Sequence, residues 1–397
     1  MAIIRGSNRG DSLTGTSRND VVWGLDGDDS FYWSGGRGND TYHGGDRGER
    51  YDSNPYTPGN PGGDRLFLDG SSGASVSFLT TENGTARIGG NLLNFTGIER
   101  LFGTDSKDVI DGRLALPNPS HDGTPTHGLS IFSGGGNDKI FGSRYDDVID
   151  GGPGNDQIRA GGGNDFIHSS TGNDRIWGGA GDENIRWGNG DNQHNPGHDR
   201  IWGGAGNDLI NIWIKDGDVW PSNEERGIRG VEVDITRVRA DGSFSGTAET
   251  NIGGDASLRF DGFELAWTHA GNDTFDASDA RVVGDRGVNL NARWGHDVLI
   301  GSSGNDTLDG SEGRDTLRGG QGDDELWVGD GRNGDGDRDT LIFRRGDGQD
   351  TVYGFDAGLD VLDLGGRDYS AREINQGTLL DFGRGDTVLL SGEFDFI

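Results

Sequence analysis

A nine-residue repeat of the form Gly-Gly-x-Gly-Asn-Asp-x-apolar-x constrains this sequence more than any other feature. The repeat runs almost unbroken over residues 134–210, and looser copies return near both ends of the chain. Glycines allow the positive φ angles that a tight turn requires, and the aspartate supplies a hard carboxylate oxygen. The apolar residue two places later is the side chain that points inward. Each unit therefore predicts a turn followed by a very short strand.

A single unit cannot bury a core, so the repeat predicts a stack of units with calcium between successive turns, held by aspartate carboxylates and backbone carbonyls. The predicted metal ligands are the repeat aspartates Asp20, Asp29, Asp40, Asp138, Asp147, Asp156, Asp165, Asp174, Asp208, Asp273, Asp306, Asp315 and Asp324. The motif resembles the RTX (repeats-in-toxin, haemolysin-type calcium-binding repeat) family of secreted proteins. That resemblance implies an all-β fold class, a right-handed parallel β-roll or β-helix solenoid stabilised by several Ca2+ ions.

The composition favours a metal-supported fold over a conventional core. Only 30% of the residues are apolar, and 77 of the 397 are glycine. The formal net charge of −32 favours disorder through self-repulsion unless bound calcium offsets part of it. We therefore expect the chain to fold only with the metal, which also takes over the role of disulfides in a chain without cysteine. No apolar stretch is long enough to cross a bilayer, so no membrane span is expected.

Two irregular, strand-rich insertions interrupt the repeats. The sequence predicts six segments: N-terminal β-roll turns at 1–43, a first β insertion at 44–130, a central roll at 131–211, a second β insertion at 212–270, a C-terminal roll at 271–353 and a cap at 354–397. Both insertions contain a Phe-x-Gly-x-Glu motif, which ends at Glu99 and at Glu264. A repeated Gly-x-Glu beside a repeated Phe favours a role in fixing a turn over a catalytic role.

The last five residues, 393–397, interleave acidic side chains with large hydrophobic ones. They resemble the uncleaved signal of RTX proteins that leave the cell by type I secretion, although a terminal strand that caps the roll has the same pattern. Low calcium inside the cell and higher calcium outside would keep such a chain unfolded until export. The predicted location is therefore secreted and extracellular, with the type I secretion machinery as a partner.

Consecutive units of a β-roll lie on opposite sheets, so every second unit stacks on the same face. The predicted outward pairs on one sheet are Lys139 and Phe141, Gln157 and Arg159, Arg175 and Trp177, and Arg200 and Trp202; the other sheet carries Val148 and Asp150, Phe166 and His168, and Asn184 and Arg186. Sugar rings stack on tryptophan and uronate carboxylates pair with arginine, so the first face fits an acidic polysaccharide. Alternatively, these arginines and tryptophans stack on one another and only shield the sheet. Nucleic acid is disfavoured by the overall negative charge.

The sequence contains no nucleophile elbow, zinc helix or phosphate loop. A parallel β-helix can still cleave uronate polymers by β-elimination, which needs a cation at the carboxylate, a base near the adjacent C–H and an acid for the leaving oxygen. The predicted catalytic residues are His168, His194, Arg175, Arg200 and Lys139, and the predicted substrate-binding residues are Arg159, Trp177, Arg186, Trp187, Trp202 and Trp213. These predictions favour a polysaccharide lyase. The alternative is a non-catalytic extracellular polysaccharide-binding or adhesion protein.

Overall fold

The computed structural model describes residues 1–36, 38–45, 63–117, 128–188, 195–214, 229–250, 255–329 and 334–392. Within these ranges the regular elements are β-strands, and no helix is present. Residues 1–117 form β1 (Ala2–Arg5), β2 (Ser12–Thr14), β3 (Asp20–Trp23), β4 (Ser30–Trp33), β5 (Asp40–His43), β6 (Arg65–Leu68), β7 (Ala74–Phe78), β8 (Gly84–Ile88), β9 (Asn91–Thr96), β10 (Arg100–Phe102) and β11 (Val109–Asp111).

The central and C-terminal strands follow. Residues 128–214 form β12 (Ser130–Phe132), β13 (Lys139–Phe141), β14 (Val148–Asp150), β15 (Gln157–Gly162), β16 (Phe166–His168), β17 (Arg175–Ala180), β18 (Asn184–Trp187), β19 (His198–Ala205) and β20 (Leu209–Ile212). Residues 229–392 form β21 (Arg229–Val238), β22 (Phe244–Thr250), β23 (Ala256–Phe263), β24 (Leu265–Trp267), β25 (Asn272–Asp276), β26 (Arg281–Val282), β27 (Arg286–Asn291), β28 (Trp294–Gly295), β29 (Val298–Ile300), β30 (Asn305–Gly313), β31 (Thr316–Arg318), β32 (Glu325–Val328), β33 (Thr340–Ile342), β34 (Gln349–Tyr353), β35 (Val361–Asp363), β36 (Ser370–Ile374), β37 (Gly377–Gly383) and β38 (Asp386–Ser391).

The core is a column of single side chains, one from each repeat. The fully buried residues of the central repeats are Ile140, Ile149, Ile158, Ile167 and Ile176. They alternate between two sheets, because the turn after each strand carries the chain across to the other sheet. Burying one isoleucine is worth about 1.5–3 kcal/mol, so the apolar stabilisation accumulates one repeat at a time.

The chain divides into two compact units, the first of which comprises Met1–Ile185 and Asp199–Gly206. In this unit, sheet one has the order β1-β3-β5-β9-β8-β7-β11-β13-β15-β17-β19. Sheet two has the order β2-β4-β6-β10-β12-β14-β16. All these neighbours are parallel except β7–β8 and β8–β9. The unit is therefore the parallel β-roll expected from the repeat.

The second unit comprises Arg186–His198 and Asn207–Ile397. One sheet pairs β21 in parallel with β25 and continues through β29, β31, β33 and β35. The other sheet runs in parallel through β20, β24, β27, β30, β32, β34 and β38. Antiparallel strands β21-β22-β23 add a side layer, and β36 and β37 extend the second sheet from β38.

The roll continues through the segment predicted as the first insertion. Strand β6 pairs in parallel with both β4 and β10, so sheet two passes through residues 63–117 without a break. Only sheet one receives extra strands, β7, β8 and β9. The side-chain signal for these strands is their inward leucines, Leu66 and Leu68 in β6 and Leu101 in β10, which lie outside any glycine-rich turn. No helix in the described part of the chain has the length and apolar character needed to cross a membrane.

Candidate calcium turns and a cation–aromatic cluster

Buried aspartates form a ladder beside the strands. The backbone N–H of Asp138 donates to Oδ1 of Asp156 at 2.7 Å, and the N–H of Asp156 donates to Oδ1 of Asp174 at 2.7 Å. The same bond joins the N–H of Asp147 to Oδ1 of Asp165 on sheet two at 2.8 Å. Each carboxylate therefore ties its own turn to the previous turn of the same sheet through one oxygen, Oδ1.

The second carboxylate oxygen, Oδ2, points into the glycine turn. A Cβ placed on Gly319 would lie 2.1 Å from Oδ2 of Asp324, and a Cβ on Gly310 would lie 2.5 Å from Oδ2 of Asp315. The first residue of these turns must therefore be glycine to leave room for the carboxylate. Oδ2 is buried and accepts no hydrogen bond from the described residues in Asp156, Asp165, Asp174, Asp315 and Asp324. A buried carboxylate oxygen without a donor fits a Ca2+ ligand.

Burial without a counter-charge raises the pKa of these carboxyl groups. The pKa of Asp156 is raised to about 8 and that of Asp165 to about 9, by desolvation first and by neighbouring aspartates in addition. A divalent cation next to Oδ2 would supply the missing positive charge. No three acidic, histidine or cysteine side chains converge on one point within the described ranges. An ion at these turns would therefore take its remaining ligands from backbone carbonyls, which are ordinary Ca2+ ligands.

Turns whose second residue is a serine or threonine without positive φ close on themselves, whereas Ser170 and Ser311, at φ 68° and 62°, leave Oδ2 of Asp174 and Asp315 without a donor among the described residues. Ser143 donates its N–H to Oδ2 of Asp147 at 2.5 Å and its hydroxyl to Oδ1 at 2.8 Å. Equivalent bonds join Ser302 to Asp306 and Thr16 to Asp20. The chain itself satisfies these carboxylates, so the donor set favours calcium at the glycine turns over the turns of Asp20, Asp147 and Asp306.

The structure places every predicted metal ligand in a buried position. Asp20, Asp29, Asp40, Asp138, Asp147, Asp156, Asp165, Asp174, Asp208, Asp273, Asp306, Asp315 and Asp324 are each at most 3% exposed. Six further buried aspartates occupy ladder positions outside the predicted set: Asp64, Asp108, Asp199, Asp297, Asp339 and Asp350. Their turns lack the Gly-Asn-Asp signature, and only the spacing to the next ladder residue marks them.

Glu99 and Glu264 take the place of aspartate in the ladder at the end of each side layer. Oε2 of Glu99 accepts the backbone N–H of Asp64, and Oε2 of Glu264 accepts the N–H of Asp208 at 2.7 Å. These bonds have the same form as the aspartate bonds in the regular turns. The structure thus agrees with the turn-fixing interpretation of the repeated Gly-x-Glu.

The predicted outward columns of sheet one are present, and their rings stack on one another. Arg175 pairs with Arg200, and Trp177 pairs with Trp202, whose ring lies 4.9 Å away at an interplanar angle of 5°. From the preceding strand, the guanidinium of Arg159 lies 4.3 Å from the centre of the Trp177 ring. Both faces of Trp177 are therefore covered by the protein. This column matches the alternative in which the side chains shield the sheet, and leaves only the ring edges of Trp177 for a ligand.

The predicted catalytic residues do not form one site. His168 lies on β16 in sheet two, with Nδ1 3.3 Å from Oδ2 of Asp150, whereas Lys139, Arg175 and Arg200 lie on sheet one. Grouping His168 with those three cations is therefore wrong, because consecutive strands of the roll belong to different sheets. His194 lies outside the described residues.

The prediction that Trp187 contacts substrate is also wrong. Its side chain is fully buried, at 0% exposure. In β18 the inward positions are those of Ile185 and Trp187, which alternate with half-buried Asn184 and Arg186. The indole therefore belongs to the core, as expected from the period-2 alternation of a strand that is one residue longer than β14 and β16.

The second unit brings cations and aromatic rings together in what we call the cation–aromatic cluster, which comprises Arg186, Trp213, Trp267, His269, Arg293 and Trp294. The Arg186 guanidinium lies 4.0 Å from the centre of the Trp213 ring, which meets His269 edge-on at 4.2 Å. The ring centres of His269 and Trp294 are 5.3 Å apart. Arg293 lies over Trp267 at 4.6 Å and at 6.0 Å from Trp294.

Two of the predicted substrate-binding residues, Arg186 and Trp213, belong to the cation–aromatic cluster. The sequence did not point to Trp267, His269 or Arg293 as members of a site. These three lie beyond the second side layer, where the nine-residue period is interrupted and no longer gives the register between strands. The position of Arg293 can nonetheless be read from the sequence, because Arg293 is the second residue of a turn that ends at a ladder aspartate, Asp297.

Arg293 is held in an unfavourable backbone conformation. Its φ angle is 66°, in the left-handed region, where most repeats have glycine and where another residue costs roughly 1–2 kcal/mol. Burial lowers the pKa of its guanidinium, which nevertheless stays charged at neutral pH. No salt bridge to Arg293 is present within the described residues. The charge of the nearby Asp309 partly offsets this lowering of the pKa without forming an ion pair, so the half-buried cation is suited to binding an anion.

Comparison with known proteins identifies the repeat. The profile of the RTX calcium-binding nonapeptide repeat matches residues 5–32, 132–167, 161–193, 195–211, 291–326 and 300–341. The chain contains RTX calcium-binding repeats. RTX nonapeptide repeats bind calcium and are typical of secreted, calcium-dependent proteins. The matched residues include the glycine turns of Asp156, Asp165, Asp174, Asp315 and Asp324.

No curated protein matches this chain. Among solved structures, the crystal structure of the extracellular lipase LipA from Serratia marcescens matches with a TM-score of 0.20 and 23% sequence identity. The match covers 63% of this chain and 41% of the lipase chain. The chain thus spans less than half of that lipase, and a TM-score this low gives no information about activity.

Proposed function

We propose that this chain is an extracellular, calcium-dependent protein that binds acidic, uronate-type polysaccharide through the cation–aromatic cluster. The observation that supports this function is the half-buried, backbone-strained cation Arg293 above the Trp267 ring. A uronate unit offers a carboxylate to the guanidinium and a ring face to an indole. Arginine is better suited to this role than lysine, because its planar fork pairs with both carboxylate oxygens.

The arrangement of the cation–aromatic cluster suits a chain of several uronate units. Its contacts run from Arg186 to Trp213, His269 and Trp294 and end at Arg293, so a cation lies at each end of a row of rings. A polymer with a carboxylate on each sugar can engage both cations. The role of calcium in this proposal is to hold the repeat turns that position the strands.

A lyase that cleaves the same polymer by β-elimination is the second candidate function, and His269 favours it. The imidazole of His269 contacts Trp213 and Trp294 between the two arginines of the cluster. In this reaction a base removes the proton next to the carboxylate, the β C–O bond to the leaving sugar breaks, a C=C bond forms in the sugar that remains, and water gives a proton to the leaving oxygen. Arginine would stabilise the carboxylate charge that develops, and His269 would accept the proton.

The binding proposal is tested with Arg293→Gly, which removes the cation and restores the glycine of the repeat. In calcium, we expect its affinity for oligogalacturonate and alginate oligomers to fall at least about tenfold by isothermal titration calorimetry. The thermal midpoint should be unchanged or higher. Ser170→Gly is the matched control, because Ser170 also holds the second turn position at φ 68° and contributes nothing to the cluster. Equal affinities of Arg293→Gly and the native chain would exclude the proposed site.

The lyase candidate is tested by absorbance at roughly 235 nm, where the unsaturated product absorbs, with the same polymers and calcium. We expect the native chain to generate this absorbance and His269→Gln to lose it while keeping its affinity for the polymer. Binding without any rise in absorbance would favour the alternative, a non-catalytic binding or adhesion protein. Loss of both properties in His269→Gln would assign His269 to binding alone.

Export is the last part of the proposal. We propose that residues 393–397, which lie outside the described ranges, direct type I secretion of this chain. Removing them should leave calcium-induced folding of the purified chain intact and abolish its appearance in the medium of cells that carry a type I exporter. Normal export of the shortened chain would show that these residues have another role.

A further inference from the structure

A cavity of about 500 Å³ lies in the first unit, at the ends of β3, β5 and β9, and we call it the N-terminal cavity. Its wall includes Trp23, Leu25, Asp26, His43 and Asn83. A volume of this size is typical of sites for small molecules. None of these residues belongs to the aspartate ladder or to the cation–aromatic cluster.

Trp23 is the aromatic anchor of the N-terminal cavity. One face of its indole stacks on the His43 ring, with centroids 3.9 Å apart and planes 23° apart. Nδ1 of His43 is in turn 2.8 Å from Oγ1 of Thr96, so the imidazole is fixed from the far side. Trp23 nevertheless keeps 38% of its surface exposed. The indole is thus rigidly held and still accessible, unlike Trp177, whose two faces are covered.

Leu25 lines the same cavity in a conformation that leucine avoids. Its φ angle is 83°, and it occupies the second position of its turn, where the repeat has glycine. The side chain is 38% exposed, so burial of leucine in the core does not offset the cost of roughly 1–2 kcal/mol. A strained, exposed apolar residue beside an exposed indole points to a role in holding a ligand.

The polar groups of the N-terminal cavity indicate the charge of its ligand. Oδ1 of Asn83 accepts the N–H of Gly97 at 2.9 Å, which orients the side-chain amide at the wall. The wall also contains Asn8 and the carboxylate of Asp26, and no arginine or lysine is among its described residues. Amides and a carboxylate bind hydroxyl groups, whereas a ligand with its own carboxylate would be repelled by Asp26 and find no cation.

We propose that the N-terminal cavity binds a neutral pyranose sugar, with its ring against Trp23 and Leu25 and its hydroxyls bonded to Asp26 and Asn83. This site is independent of the proposed uronate site. Its ligand is uncharged, and its residues belong to the first unit. A protein with both sites would bind a polysaccharide that contains neutral as well as acidic sugars.

The test uses the calcium-bound full chain and a panel of methyl glycosides of glucose, galactose and mannose, with glucuronate as the acidic probe. Saturation-transfer NMR and calorimetry should show saturable binding of at least one neutral glycoside and none of glucuronate at this site. Trp23→Ala and Leu25→Gly should each weaken that binding about tenfold or more, which is a free-energy loss of about 1.4 kcal/mol. Trp327→Ala is the matched control, since Trp327 stacks on Tyr353 in the second unit.

Leu25→Gly also separates binding from folding. Because glycine removes the left-handed strain, this variant should have an equal or higher thermal midpoint while it loses the glycoside. A lower midpoint would assign Leu25 to packing and overturn its role as a ligand contact. The proposal would be overturned if no neutral glycoside bound, or if Trp23→Ala bound the glycoside as well as the native chain does. Either result is independent of the effect of Arg293→Gly on uronate binding.

Discussion

The second position of each turn determines what its ladder aspartate can bind. Serine or threonine without positive φ there donates its N–H and hydroxyl to the carboxylate, as Ser143 does for Asp147. Glycine donates nothing to the carboxylate of Asp156, so Oδ2 stays without a hydrogen bond. Other residues at this position adopt positive φ without such bonds in the described ranges, as Ser170 does, and at Leu25 and Arg293 they do so beside a tryptophan. One position therefore separates closed turns, metal turns and ligand contacts.

Two asparagine variants test this difference between turns. Asp156→Asn keeps an Oδ1 acceptor for the N–H of Asp138 and loses only the charge, so we expect the calcium concentration at the folding midpoint to rise several-fold. Asp147→Asn, in a turn closed by Ser143, should shift that midpoint much less. Calcium titrations followed by circular dichroism provide the measurement. Equal shifts in the two variants would show that serine turns bind the metal as glycine turns do.

At the scale of the strand and its neighbours, Glu264 links a side layer to the roll. Burial raises its pKa to about 6, and its carboxylate accepts the N–H of Asp208. Glu264→Ala leaves that N–H without its acceptor, and we expect a loss of about 1–3 kcal/mol in the free energy of unfolding. Glu264→Gln keeps an acceptor oxygen and should be nearly neutral. Urea unfolding in saturating calcium measures the free energy of unfolding of both variants. If Glu264→Gln is as unstable as Glu264→Ala, the charge of Glu264 is needed, as it would be for a metal ligand.

The sequence predicts the strand register well where the period is unbroken and poorly beyond the side layers. It correctly placed Arg200 and Trp202 in the column of Arg175 and Trp177, because the residues between them lengthen a turn without changing sheets. It left open whether the rings in such a column face a ligand or cover one another. Strands about 4.8 Å apart bring equal residues to stacking distance, so a row of tryptophans uses its faces internally. The cation–aromatic cluster required the register across β21–β23, which no repeat supplies.

For the whole molecule, the raised carboxyl pKa values predict that calcium-free folding depends on pH. The carboxyl groups of Asp156 and Asp165 bind protons up to about pH 8 and 9 in the folded chain, but only near their ordinary value of 3.8 when unfolded. Their contribution to stability is thus complete below pH 3.8 and is lost as the pH rises through 8 to 9. Calcium replaces the protons, so its effect on folding should grow over the same range.

Circular dichroism of dialysed, calcium-free protein measures this dependence. We expect more β-structure at about pH 5.5 than at about pH 8.5, and a higher calcium midpoint for folding at the higher pH, because protons no longer stabilise the folded chain there. The Asp165→Asn variant, which cannot ionise, should show a weaker pH dependence than the native chain. Calcium-free spectra that do not change with pH would contradict the assignment of these carboxylates as uncompensated buried charges.

The side layer β7-β8-β9 enters sheet one between β5 and β11, and its outer strands run parallel to both. Because direction alternates within the layer, only an odd number of strands can fit this place. Evolution or protein engineering can therefore exchange the layer for one strand, three or five, but never for a lone hairpin, which would return the chain in the wrong direction. Sheet two, which passes by uninterrupted, preserves the repeat through any such exchange.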